Sequence, residues 1–182
     1  TTILGAELHS GAMRNGEIWH ILAVGLQADF AQANAPHFGP VAGQESGPEI
    51  ARRASEAGAF VTVAHPQWGG LVPEDALSIE AAHAVEIYNH GCAVEAGRGD
   101  GWHMADLMLS AGRRLTAIAT DDAHFASPDA FGGWVMVKAE KNEPDALVEA
   151  LKAGHFYATQ GPELRDVRIE GKEIVVECSA VE

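Results

Sequence analysis

Leu115-Thr116-Ala117-Ile118-Ala119-Thr120-Asp121-Asp122-Ala123-His124 is the stretch whose reading decides the fold. Its first six residues are a short apolar run with β-branched members. Ala111-Gly112 leads into it as a helix stop. A buried strand therefore ends here, and Asp122-Ala123-His124 sits where that strand leaves its sheet. In α/β folds that end of the strands is where active sites are built. A carboxylate and an imidazole two residues apart can both reach a divalent metal. An Asx-type turn followed by a surface histidine would give the same letters.

Two further runs end in the same kind of residue. Phe60-Val61-Thr62-Val63-Ala64 leads to His65-Pro66, and proline cannot donate to a sheet ladder, so the strand stops there. Thr2-Ile3-Leu4-Gly5-Ala6 leads to Glu7. Strand ends carrying Glu, His and Asp-x-His together favour a metal over separate structural roles. His20 opens another apolar run, His20-Ile21-Leu22-Ala23-Val24-Gly25-Leu26. Beside Trp19 it reads equally well as a half-buried structural histidine.

Between these strands lie helix signals. Ser46-Gly47-Pro48-Glu49 is a capping box opening a helix over Ile50–Ala57 that stops at Gly58. Pro73–Leu77 is a short helix before the strand Ala84–Tyr88. Trp102–Ser110 has helical apolar spacing, and Pro144–Ala153 is a helix closed by Gly154 after the strand Trp134–Lys138. Alternating strands and helices predict a largely parallel sheet, in which the strands ending at Glu7, His65, Tyr88 and Thr120 are mostly parallel neighbours, with a small antiparallel addition at the C-terminal end. Asp29–Gly47, which contains His37, and Gly91–Gly101, which contains Arg98, read as long loops. Loops on a catalytic face carry substrate contacts, which makes Arg98 the candidate phosphate partner and His90 a candidate contact beside it.

Taken in order, Gly5-x-Glu7, His20 before Ile-Leu-Ala-Val-Gly-Leu, Ala64-His65-Pro66, Glu86-Ile87-Tyr88-Asn89 and Asp122-Ala123-His124 resemble the PHP (polymerase and histidinol phosphatase) superfamily of metal-dependent phosphoesterases. Phe131–Val137 and Gly154–Pro162 resemble the C-terminal part of one bacterial branch of it. The resemblance spans nearly the whole chain. It implies an α/β fold, a partial distorted (β/α) barrel whose strand ends hold up to three divalent ions, Zn, Mn or Fe. It implies that Glu7 is a bridging carboxylate, that His20 and His65 share one metal with it, and that Asp122 and His124 are ligands of others. Glu7, Asp122 and His124 are the implied catalytic group.

The resemblance also implies an opening His-x-His strand, followed by an Asp and a further His. No His-x-His occurs here; Glu7-Leu8-His9 is the nearest approach, and it belongs to the Gly-x-Glu motif. The chain is therefore expected to be one PHP-like domain over 1–182, shortened at its N-terminus and, from the strand-like Ile174–Glu182, at its C-terminus as well. A shortened barrel exposes sheet edges that a second copy can pair with. The expected activity of the complete protein is hydrolysis of a phosphorylated small molecule or short oligonucleotide, and the shortened chain is expected to be weakly active or inactive. A metal-binding domain without catalysis and an amidohydrolase-like metal hydrolase are the alternatives.

Composition narrows the partners. Twelve Lys and Arg against 26 Asp and Glu give a formal net charge of −14, which argues against broad duplex nucleic-acid binding. Bound cations would reverse that sign locally, so a small phosphorylated substrate stays compatible. No apolar run approaches the ~18 residues of a membrane span. Cys92 and Cys178 lie far apart and read as reduced thiols of a cytoplasmic protein. Ser10 and Ser127 lack a nucleophile-elbow context, and no Gly-rich nucleotide cradle occurs.

Overall fold

The computed structural model describes residues 1–31 and 45–181. The loop expected over Asp29–Gly47, including His37, lies mostly outside them. The strands are β1 (Gly5–Ala12), β2 (Ile18–Val24), β3 (Phe60–Val63), β4 (Ala84–Asn89), β5 (Thr116–Thr120), β6 (Trp134–Val137), β7 (Phe156–Thr159), β8 (Leu164–Glu170) and β9 (Glu173–Cys178). The helices are α1 (Gly47–Glu56), α2 (Pro73–Ser78), α3 (His90–Ala96), α4 (Trp102–Ser110) and α5 (Pro144–Lys152).

Local sequence explains the helix ends. Ser46 caps α1 reciprocally with Glu49: the Glu49 N–H reaches Ser46 Oγ at 3.4 Å, and the Ser46 N–H donates to Glu49 Oε2 at 2.8 Å. Pro144 starts α5, where its missing N–H costs nothing, and Gly154 in left-handed backbone follows its end.

The central sheet has the order β1-β2-β3-β4-β5. β2 is antiparallel to both its neighbours, whereas β3, β4 and β5 are parallel. Four of the five strands thus run one way, and the fold is mixed α/β with a mostly parallel sheet. Two antiparallel ribbons, β6-β7 and β8-β9, complete it. Among the described residues the sheet stays open, with β1 and β5 as its outer strands. Among them, too, no helix is long and apolar enough to cross a membrane.

Each face of the sheet buries its own cluster. Leu8, Trp19, Ile21, Val61, Val63 and Val85 pack with Ile50 and Ala54 of α1 and Met104 and Met108 of α4. Phe60, Ala84 and Ile118 pack on the other face with Val148 and Leu151 of α5, beside Val135 and Val137 of β6. Strand alternation sets the outcome on β1: Leu8 and Ser10 are buried on the first face, so Glu7 and His9 point to the second.

The structure corrects the sequence reading at three places. β1 continues to Ala12, so Glu7 lies within a strand and not at its end. β2 separates β1 from β3, so the strand of Glu7 and the strand before His65 point the same way without being neighbours. Gly91–Gly101 is not one loop: Asn89 Oδ1 accepts from the Cys92 N–H at 2.9 Å and starts α3, which Gly97 ends in left-handed backbone. The glycines had masked a short capped helix.

Met108 is fully buried. Met108→Ala is expected to lower unfolding free energy by about 2–5 kcal/mol. Ser46→Ala is expected to cost about 1 kcal/mol by removing the cap. Denaturant midpoints at constant slope check both.

Candidate metal centre

The reversed direction of β2 builds the site. His20 is near the start of β2, which the antiparallel pairing places beside the end of β3. In the β1–β2 register His9 faces His20 and Glu7 faces Leu22, so Glu7 and His20 are diagonal neighbours on one face. His65 arrives from the turn just after β3. Glu7 Oε1 then lies 2.7 Å from His20 Nδ1 and 2.8 Å from His65 Nε2, and Glu7 Oε2 lies 3.1 Å from His9 Nε2. One carboxylate gathers three imidazoles.

These contacts fix the electrostatics of the ion-free protein. Burial alone would raise the Glu7 carboxyl. The hydrogen bonds from His20, His65 and His9 outweigh it and hold the group far below the ordinary carboxylate range. Burial alone would lower His65, but its bond to Glu7 and the charges of Glu86, Glu7 and Asp122 raise it.

A divalent ion fits this donor set. Donor atoms of Glu7, His9 and His20 all lie within 4.8 Å of one another, close to the span of donors bound at ~2.0–2.2 Å from a common centre. His65 is 5% exposed and lies outside that set of three, joined to it by its Nε2 on Glu7 Oε1, while its Nδ1 is buried with no hydrogen-bond partner among the described residues. Mixed imidazole and carboxylate ligands suit Zn, Mn and Fe alike.

His9 was missed in the sequence. The signal was present: a residue two along from Glu7 on the same strand shares its face. Reading Glu7 as a strand terminus hid that relation.

The other expected ligands, Asp122 and His124, line the same cavity of about 830 Å³ as Glu7, His20 and His65, but neither belongs to the Glu7 donor set. Asp122 adopts left-handed backbone, with φ of 50°. Its Oδ2 accepts from Asn89 Nδ2 at 3.2 Å and lies 3.9 Å from Cys92 Sγ. His124 is exposed and clusters with Glu95 and Asp129. Asp129 is buried and accepts from the backbone of His124 and Phe125 at 2.8 and 3.1 Å, and these bonds, His124 first, hold its carboxyl low. Arg98 lines the cavity as an exposed guanidinium. His90 does not line it: its Nδ1 pairs with the Tyr88 hydroxyl at 2.9 Å, and its ring packs against Gly132, where an added Cβ would lie 2.1 Å away.

Protein-family models, curated proteins and solved structures offer no match to this chain. The site is therefore read from its own geometry.

Cys92 also lines the cavity. Burial, with the charges of Asp122, Glu86, Glu7 and Glu95, pushes its thiol up to about 12. It stays a neutral thiol near pH 7 and is a poor thiolate ligand.

His83, His103 and His155 stand away from the cavity. His83 Nδ1 accepts from the Val61 N–H at 3.0 Å, a structural role, and the other two are exposed.

The pH dependence of the ion-free protein follows from His65. A histidine whose pKa is raised by folding contributes stability fully below its unfolded pKa of about 6.5, and that stability is lost as pH rises through the folded value. Melting temperature without divalent ions is expected to fall as pH climbs above about 6.5. Glu7→Gln should flatten that fall; thermal melts across pH with chelator present check it.

Proposed function

We propose that this chain is the ion-holding part of a metal-dependent phosphoesterase whose substrate is a phosphorylated small molecule or short oligonucleotide. The observation that carries this reading is the Glu7 carboxylate with imidazole nitrogens of His9, His20 and His65 within 3.1 Å, set in a cavity that Arg98 also lines. The open sheet then corresponds to part of a PHP-type barrel, with the strand ends facing the cavity.

Charge supports the need for cations. Glu7, Glu17, Glu95 and Asp122 line the cavity against the single guanidinium of Arg98. Such a lining repels a phosphate dianion, so substrate entry requires bound positive charge. The chemistry a divalent ion supplies when bound is Lewis acidity toward a phosphoryl oxygen and a water acidified enough to attack near neutral pH.

The protein groups divide the remaining work. Glu7, His9, His20 and His65 hold the ion, with Asp122 and His124 offering donors from the other wall. Arg98 presents a planar fork to the phosphate oxygens. Trp68, Gly69 and Gly70 form a wall beside the imidazoles, with Trp68 edge-on to His20 and His65. Asn15 Nδ2 pins that wall by donating to the carbonyls of Gly69 and Gly70 at 2.9 and 3.2 Å. A fixed wall orients the substrate.

The test is phosphate release from a panel of phosphomonoesters and phosphodiesters with Mn²⁺ or Zn²⁺ added. Release should require the ion, stop with chelator, and fall by about 10²–10³ in Glu7→Gln, the loss typical of removing one main electrostatic group. His20→Ala should lower bound metal, read by elemental analysis, without unfolding the chain. Full loading with no release from any phosphoester, but cleavage of carbonyl substrates, would move the assignment to an amidohydrolase-type reaction. Loading with neither would leave a binding domain.

A further inference from the structure

We infer that Glu86 is a positioning residue that, with Asn89, sets His65 and Asp122 together on the two sides of the cavity. The inference rests on the metal-centre reading and adds to it the group that fixes the spacing between its two sets of donors.

Glu86 lies within β4 and is 3% exposed. Its Oε2 accepts the His65 backbone N–H at 2.6 Å and Asn89 Nδ2 at 3.1 Å, while its Oε1 accepts the Thr120 hydroxyl at 2.8 Å. Asn89, 1% exposed, passes the connection on: the same Nδ2 also donates to Asp122 Oδ2 at 3.2 Å. One buried side chain thus ties the turn after β3, the end of β4 and the end of β5. A buried carboxylate is costly unless its lone pairs are used, and here every donor it meets belongs to a strand end or to the turn just after one. Among the described residues Glu86 has no ion-pair partner within salt-bridge distance. Its role is to fix geometry.

Chemistry separates position from charge. Gln is nearly isosteric. Its carbonyl can accept from His65 and Asn89 as Oε2 does, and its NH₂ can donate to the Thr120 hydroxyl oxygen. Glu86→Gln therefore keeps the bracket and removes the acid. Glu86→Ala removes the bracket. Asn89→Ser keeps a cap oxygen for α3 but cuts the link to Asp122.

The experiment titrates Co²⁺ into the full chain and reads both affinity and the visible ligand-field spectrum, with circular dichroism and melting curves for each variant. Glu86→Ala should weaken Co²⁺ binding by about 10–100-fold, the usual cost of losing a group that orients ligands, and should change the spectrum. Glu86→Gln should restore both to within about 3-fold of wild type, as expected when the bracket survives. Asn89→Ser should perturb the spectrum with α3 intact, and it carries the test alone if Glu86→Ala does not fold. Wild-type affinity and spectrum in the folded Glu86→Ala protein, or in Asn89→Ser if Glu86→Ala does not fold, would overturn the positioning role while leaving the metal centre standing. A wild-type chain that binds no Co²⁺ would overturn the metal-centre reading, and this inference with it.

Discussion

The pairing of β2 between β1 and β3, antiparallel to both, is the constraint from which the site follows. An all-parallel sheet would put the first residues of β2 at the end remote from the cavity. The reversal brings His20 beside His9 in register and next to the turn that carries His65. It also makes the β1–β2 connection short, so Glu7, His9 and His20 come from one local hairpin. Most of the cluster is thus assembled by contacts close in sequence, and the parallel strands add His65 and Asp122 at the same edge. The two faces of the hairpin divide the labour: Leu8, Ile21 and Ala23 lie in the core cluster of α1, while the opposite face carries Glu7, His9 and His20 beside Leu22 and Val24 of the second cluster.

Much of this was legible in the letters. Short β-branched runs ending in Pro66 or in Asp-x-His marked β3 and β5. Gly58 and Gly154 marked helix ends, and the Ser46–Glu49 pair marked a beginning. These signals are local, set by backbone sterics and capping hydrogen bonds, and local signals survive folding. The direction of β2 was not legible, because an apolar run reads the same either way and strand pairing is decided by partners distant in sequence. His9 was lost because Glu7 read as a strand end, which hid the residue two along on the same face. α3 was lost because Gly91 and Gly97 suggest a loop, although Gly97 is the left-handed stop of a helix that Asn89 starts. The convergence of Glu86 on His65, Asn89 and Thr120 joins three strands, and no periodicity along one of them announces it.

Electrostatics gives the cavity its character. A chain with a net charge of −14 places acidic groups along a concave surface, where low-dielectric walls focus the field. The imidazoles around Glu7 offset part of that charge internally, and they do so only while they hold protons. A divalent ion would compete with protons for the same nitrogens, since metal ligation needs each ring nitrogen free of its proton. The fold keeps the carboxylate available in either condition, because Glu7 is held ionised by its neighbours.

Asp122 carries a backbone demand as well as a carboxylate. Its φ of 50° lies in the left-handed region, where glycine rests without strain and Asn and Asp are tolerated better than other side chains. Few replacements can therefore drift into this position without first disturbing the turn. Asn is the conservative neighbour: it keeps the turn and the side-chain shape but replaces one anionic oxygen with a donor. A lineage losing the carboxylate here could pass through Asn with little change of fold. The same backbone would bar most routes to Glu, Leu or Val, so the turn narrows the sequence space of this wall before any selection on chemistry begins.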